Sequence, residues 1–332
     1  MQKQTITIDK TEKKMTVKEG TDLDSIAYFN EKFVLLRDAQ INIMTHAFQY
    51  GTGVFEGIRG YWNEEEKQMY IFRMKEHYVR LKNSCKLIRL ELTKSVDELC
   101  NITIELMQKN KPTCDMYIRP NVYKAGINVG PSLLNKNGSN PTGFSLCTMP
   151  MGEYLDLEKG LHVSVSSWTR VEDNAIPPRG KIQGSYVNTA LAKTDAILSG
   201  FDDTIVLSSC GHVSEGSAMN IFMVRDGKLI TTPVHSNILE GVTRTTIIEL
   251  AKKEFDLETE VRQIDRSELY VCDEVFFCGT GAQVSPATMI DHRPVGNGKT
   301  GPISKKLQEL YFNVVRGRNH CYKEWCMPVF KN

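Results

Sequence analysis

The sequence predicts a mixed α/β (α+β) protein of two domains, and three observations carry that reading. The chain has 332 residues, more than one ordinary core accommodates and a fit for two. Amphipathic helical stripes and period-two strand patterns alternate along its whole length. A stretch over residues 150–159 separates one β-like run, Phe144 to Cys147, from another that begins at Leu161. The domains are therefore drawn as 1–150 and 160–332, with 151–159 as the segment between them.

The elements follow in order. Residues 1–18 alternate polar and apolar around Ile6, Ile8, Met15 and Val17, so they read as a strand. A signal peptide would need a continuous apolar stretch. Tyr78, Leu81, Cys85 and Ile88 form one helical stripe. Ser95-Val96-Asp97-Glu98 is a capping box, placed before a second stripe of Leu99, Ile102 and Leu106. Residues 135–142, rich in Asn, Gly, Ser and Pro, read as a surface loop. Leu161, Val163 and Val165 alternate with polar residues, the mark of a half-buried strand. Val187, Ala190, Leu191, Thr194 and Leu198 give a third helical stripe. Asp226-Gly227 between two apolar runs predicts a hairpin. A fourth stripe follows Thr243 through Ile247, Ile248, Ala251 and Phe255.

Composition excludes several function classes. The formal net charge is +1, so no basic excess points to nucleic acid. No run of 18 apolar residues exists, and no membrane span is expected. Nine cysteines, an odd count without CxxC, argue for free thiols in a reducing compartment, and the cytoplasm is the expected location. Seven histidines show no HExxH or paired-ligand spacing, so no metal site is expected.

Single motifs decide little. Gly51-Thr52-Gly53 and Gly279-Thr280-Gly281 lack the third glycine of a dinucleotide fingerprint, and such a pair is usually a turn. Gly241-Val242-Thr243 stands just before a helix, where free N–H groups suit a phosphate, although an ordinary Thr cap explains it locally. Lys181, after the turn Pro177-Pro178-Arg179-Gly180, reads alone as a surface charge. Glu215 reads alone as a solvated turn residue.

Together, seven ordered motifs resemble the branched-chain amino acid aminotransferases of the class IV, fold-type IV pyridoxal-phosphate enzymes. They are Phe55-Glu56-Gly57-Ile58-Arg59, Tyr117-Ile118-Arg119-Pro120, Ser166-Ser167-Trp168-Thr169-Arg170, Lys181-Ile182-Gln183-Gly184-Ser185-Tyr186, Val213-Ser214-Glu215-Gly216, Leu239-Glu240-Gly241-Val242-Thr243-Arg244 and Asp273-Glu274-Val275-Phe276-Phe277-Cys278-Gly279-Thr280. The resemblance covers roughly residues 24–317. It implies a two-domain enzyme whose larger C-terminal domain binds pyridoxal 5′-phosphate. The implied reaction moves the amino group of leucine, isoleucine or valine reversibly to 2-oxoglutarate.

The resemblance also assigns roles. Lys181 would form the Schiff base with the cofactor aldehyde and then serve as the proton carrier. Glu215 would face the pyridine nitrogen, and Tyr186 the ring's 3-oxygen. Arg80, in Glu76-His77-Tyr78-Val79-Arg80-Leu81, would grip the phosphate beside Gly241, Val242, Thr243 and Thr280, with Leu239 against a ring face. Tyr50, Phe55, Gly57, Tyr117, Arg119, Met151 and Tyr154 would surround the substrate, Arg119 meeting the γ-carboxylate of glutamate. The Thr280-Gly281-Ala282 backbone would take the α-carboxylate. The loops at Tyr50 and at residues 126–130 would reach a neighbouring subunit's site, which implies a homodimer or a higher homo-oligomer. Met151 departs from the aromatic residue of many bacterial relatives, and residues 319–332 match nothing in the family. D-amino-acid aminotransferases and aminodeoxychorismate lyases are the competing members of the same fold type. A non-catalytic binding protein that kept the fold is a rival of another class.

Overall fold

The computed structural model describes residues 22–139, 141–152 and 159–330. The strand read over residues 1–18 lies outside them. Six α-helices occur among the described residues: α1 (His46–Tyr50), α2 (Met74–Leu87), α3 (Val96–Asn110), α4 (Tyr186–Leu198), α5 (Val242–Phe255) and α6 (Pro302–Val315).

Local chemistry sets these boundaries. Ser95 accepts a hydrogen bond from the Glu98 N–H, and the Glu98 carboxylate accepts one from the Ser95 N–H, so the capping box closes at the start of α3. Leu99 and Leu106 of that helix are buried together with Tyr78, Leu81 and Cys85 of α2 in one core. Asp226 and Gly227 both have positive φ, 51° and 73°. That is what a two-residue turn between the antiparallel strands Asn220–Arg225 and Lys228–Thr231 requires.

The helix expected from Val187 onward forms, but its apolar stripe faces outward. Val187 is 65% exposed and Leu198 80%, whereas Ala192 and Ala196 are buried. Helix α4 lies across strands Leu161–Thr169 and Asp203–Leu207. The small alanines allow close approach there, and the larger residues are left on the far side.

Two sheets organise the chain. In the first, Met116–Lys124 is central, pairing antiparallel with Ile58–Asn63, Thr142–Pro150 and Gly53–Phe55. In the second, Leu161–Thr169 runs parallel to both Asp203–Leu207 and Gln283–Ile290, and the latter pairs antiparallel with Glu274–Gly279. A core built from both sheets joins them: Tyr61, Tyr70 and Phe72 from the first pack with Phe222 and Phe276 from the second and Leu307 and Tyr311 from α6. The tail is part of this junction. Cys326–Pro328 pairs with Gln68–Phe72 as an edge strand of the first sheet, and Trp325 lies under the Arg73 guanidinium at 3.8 Å.

All nine cysteines are free thiols, in keeping with their odd number. No helix among the described residues is long and apolar enough to cross a membrane. Among the same residues no cluster of His, Cys, Asp or Glu could hold a metal ion.

Candidate active site

A cavity of about 330 Å³ is lined by residues of both sheets, α2, α4 and α5. One end is built by the start of α5. Its N-cap, Gly241, supplies no side-chain cap, so the first N–H groups and the helix's partial positive charge are left without a capping side chain where Gly241, Val242 and Thr243 line the cavity. Glycine is dictated here: a Cβ would sit 2.0 Å from Asn220 Oδ1. Asn220 is itself fixed, donating to Glu215 at 3.0 Å and to the Leu239 carbonyl at 2.9 Å.

Arg80 from α2 stands at the same end. Its Nε and Nη2 form a fork on the fully buried Glu56 carboxylate at 2.7 and 2.8 Å, and Nη1 donates to the Glu240 carbonyl at 2.8 Å. Burial works against charge on Glu56, but the Arg80 guanidinium and a hydrogen bond from His77 outweigh it and hold the carboxyl well below the usual range. Burial keeps the His77 pKa below its ordinary value. The arginine head is therefore held rigidly.

Glu215 is 3% exposed. Arg170 Nη2 lies 2.8 Å from its carboxylate, and the Leu239 N–H donates to it at 3.3 Å. Burial pushes the Glu215 pKa up, and the Arg170 charge pulls against that.

Lys181 enters on an extended segment that runs antiparallel beside strand Gly53–Phe55, where Val54 bridges to Ile182. Its backbone carbonyl accepts from the Phe55 N–H at 3.0 Å, and its N–H donates to Ser84 Oγ at 3.1 Å. The Nζ lies 5.1 Å from the Phe55 ring centre and 5.5 Å from that of Tyr186. It is a half-buried cavity lysine rather than a surface charge.

The opposite wall carries Arg119. Its guanidinium carbon lies 4.3 Å from the Phe55 ring centre and 4.9 Å from that of Tyr117. Its buried Nε has no hydrogen-bond partner, and no carboxylate among the described residues pairs with it. Gly57 makes room for Tyr117, whose hydroxyl would be 2.3 Å from an added Cβ. Met151, Thr280, Gly281 and Ala282 complete this end. Buried Arg59 ties them together, donating to the carbonyls of Met151 at 2.9 Å, Gly152 at 2.8 Å and Gly281 at 3.4 Å.

The cavity thus gathers Phe55, Gly57, Arg80, Tyr117, Arg119, Met151, Lys181, Tyr186, Glu215, Leu239, Gly241, Val242, Thr243, Thr280, Gly281 and Ala282. Tyr50 is not in it; this side chain is 40% exposed, and its hydroxyl accepts from the Gly130 N–H at 3.1 Å. Tyr154 lies outside the described residues. Sequence reasoning missed Arg170, Arg59 and Met149. Both arginines stood in motifs already singled out, so the signal was present without an assigned partner.

This constellation, a lysine in one cavity with a buried carboxylate and an uncapped helix N-terminus, defines a cofactor-dependent group-transfer enzyme. The pattern of the family "Amino-transferase class IV" matches residues 53–290. The chain is 49% identical over 304 residues to a probable branched-chain-amino-acid aminotransferase of Aquifex aeolicus, covering 92% of this chain and 96% of that protein. A branched-chain amino acid aminotransferase from Thermobaculum terrenum, solved in its PLP form, superposes with a TM-score of 0.88 at 38% identity, covering 94% of this chain and 100% of the other. One from Thermoproteus uzoniensis, solved with norvaline, superposes with a TM-score of 0.87 at 36% identity, covering 92% and 99%. The chain belongs to the class IV aminotransferase family.

Proposed function

We propose that this chain is a pyridoxal-phosphate-dependent branched-chain-amino-acid aminotransferase. It exchanges the amino group of leucine, isoleucine or valine with 2-oxoglutarate. The observation that carries the reading is Lys181 sharing one cavity with buried Glu215 and the uncapped start of α5.

The donor set fits the cofactor. Arg80, the Val242 and Thr243 amides and Thr280 would hold the phosphate. Glu215 would face the ring nitrogen, Tyr186 the 3-oxygen, and Leu239 a ring face. When bound, the cofactor supplies an aldehyde to carry the amino group and a protonated ring that stabilises charge at the substrate Cα. Lys181 Nζ would carry the proton between the substrate Cα and the cofactor's C4′, in either direction. The Thr280-Gly281-Ala282 backbone orients the α-carboxylate, and Arg59 keeps that turn in place. Phe55 and Met151 form the apolar wall, and the family resemblance assigns Tyr154 to the same side of the substrate. Arg119, unpaired by any protein carboxylate among the described residues, accepts the γ-carboxylate of glutamate.

Two copies of the chain pair over α1 and residues 126–130. Ile43, Phe48, Ile127 and Val129 are each between 65% and 75% exposed, and such a group of large apolar residues supports an interface. The free thiols support a cytoplasmic location, and residues 151–159 are assigned as the link between the two domains.

A panel of amino donors with 2-oxoglutarate tests the activity. Turnover of L-leucine, L-isoleucine and L-valine far above D-alanine is expected. Turnover of D-alanine alone, or release of pyruvate from aminodeoxychorismate, would overturn it.

A further inference from the structure

Two helices build the phosphate end of the cavity: α2 carries Arg80, and α5 opens with Val242 and Thr243. They are tied to each other at two levels. Near the cavity, Arg80 Nη1 donates to the Glu240 carbonyl at 2.8 Å. About two helical turns away, the Arg73 guanidinium forks onto Glu249 of α5, Nη1 at 3.1 Å and Nη2 at 2.8 Å. Between the ties runs a groove of about 340 Å³, lined by Val79 and Asn83 of α2 and by Val242 and Thr245 of α5. A groove offers no packing contacts across it, so the ties at its two ends set the spacing of the helices.

Arg73 is itself held by the C-terminal tail. It is the N-cap of α2, 6% exposed, with a φ of 43° in the left-handed region that side chains other than glycine rarely adopt. Its N–H donates to the Trp325 carbonyl at 2.7 Å, next to the pairing of Cys326–Pro328 with Gln68–Phe72. The Trp325 ring centre lies 3.8 Å from the guanidinium carbon, close enough for a cation–π attraction. The same tail reaches α5. The Tyr322 hydroxyl donates to the Glu254 carboxylate, and Lys253 Nζ lies 5.5 Å from the Trp325 ring centre. The tail therefore touches both helices at the far end of the groove.

We propose that Arg73, Glu249 and Trp325 are positioning residues. The tail clamps the start of α2 to α5 and so fixes the separation of Arg80 from the first amides of α5, the two halves of the phosphate cup. None of the three lines the cavity itself. This rests on reading Arg80 and the start of α5 as the phosphate site.

The test compares pyridoxal 5′-phosphate with pyridoxal, which has the same ring and aldehyde and no phosphate. Dissociation constants of both are measured by equilibrium dialysis on the full-length chain. The wild-type chain should prefer the phosphorylated form by on the order of a hundredfold or more, since several charge-assisted hydrogen bonds separate the two. Glu249→Gln keeps the size of the side chain and removes the charge that Arg73 meets. It should weaken pyridoxal-phosphate binding about three- to tenfold and leave pyridoxal within about twofold. Trp325→Leu should do the same, and Trp325→Phe, which keeps a ring face under the guanidinium, should recover most of the loss. Together, Glu249→Gln and Trp325→Leu should cost less than the product of their separate effects, because both act through Arg73. Turnover at saturating cofactor should stay near wild type in each variant. Equal weakening of both ligands would mean a general loosening and would overturn the proposal, as would wild-type pyridoxal-phosphate affinity in Glu249→Gln. A wild-type chain that binds pyridoxal as tightly as its phosphate would instead overturn the phosphate assignment, and this inference with it.

Discussion

Glu215 and Arg170 form a buried ion pair, with Nη2 2.8 Å from the carboxylate and side chains 3% and 10% exposed. Burial favours the protonated acid, and the guanidinium favours the carboxylate. Only the carboxylate can hold a proton on the cofactor's ring nitrogen. Glu215→Gln should therefore fold and bind cofactor yet lose activity on the order of a hundredfold or more. Steady-state turnover at saturating cofactor checks this. Near-wild-type turnover would mean that another carboxylate faces the ring.

Arg170→Met should leave Glu215 buried without its partner. Removing one member of such a pair costs about 3–5 kcal/mol. The Glu215 pKa, already raised, should rise further. A raised folded-state pKa on an acid gives stability that is lost as pH climbs from the unfolded value through the folded one. The deficit of the variant should thus be larger at pH 8 than at pH 5, roughly one unit above the usual carboxyl pKa of about 4. Denaturant unfolding at both pH values checks the sign.

Arg119→Leu should separate the two half-reactions. Glutamate brings a second carboxylate to the pocket, and leucine brings methyl groups. Hydrogen bonds to charged groups contribute about 1.5–3 kcal/mol, so the glutamate half-reaction should slow by roughly one to two orders of magnitude. The leucine half-reaction should change far less. Stopped-flow traces with each donor decide this, and equal losses would make Arg119 a wall residue.

Acid should destabilise the cofactor-free protein through the Glu56, His77 and Arg80 group. His77 has a folded pKa below its unfolded value, so its stabilising effect declines as pH falls below about 6.5. Glu56 is held well below the usual carboxyl range, so its contribution is present above about pH 4.3 and is lost as pH falls further. A Tm profile from pH 7 to 3 should show both declines. Glu56→Gln should lower Tm at pH 7 and flatten the acid end.

Much of this was readable in the chain. The Ser95 capping box, the Asp226-Gly227 turn and the ordered motifs depend on neighbours within a few residues, and local pattern reports local structure. What stayed hidden depends on distant pairing. Arg170 meets a carboxylate 45 positions on, and Arg59 reaches carbonyls 92 and 93 positions on. Their residue types alone name no partner. The outward stripe of α4 misleads for another reason: periodicity marks an apolar face without saying what covers it, and here Ala192 and Ala196 are the residues that pack. The tail beyond Asn319 carries no family motif; among its described residues Cys326–Pro328 extends a sheet edge, and Tyr322 and Cys326 are buried in the shared core, contacts that depend on distant pairing.

The central claim is that Lys181 is the lysine to which the cofactor is bound, and one measurement reaches it directly. Holoenzyme reduced with borohydride fixes the cofactor as a stable amine, and peptide mass spectrometry then locates it. The account predicts the phosphopyridoxyl group on Lys181 alone, with Lys181→Ala unlabelled and inactive in transamination while still binding cofactor through Arg80 and the start of α5. A label on another lysine, or near-wild-type turnover by Lys181→Ala, would contradict it.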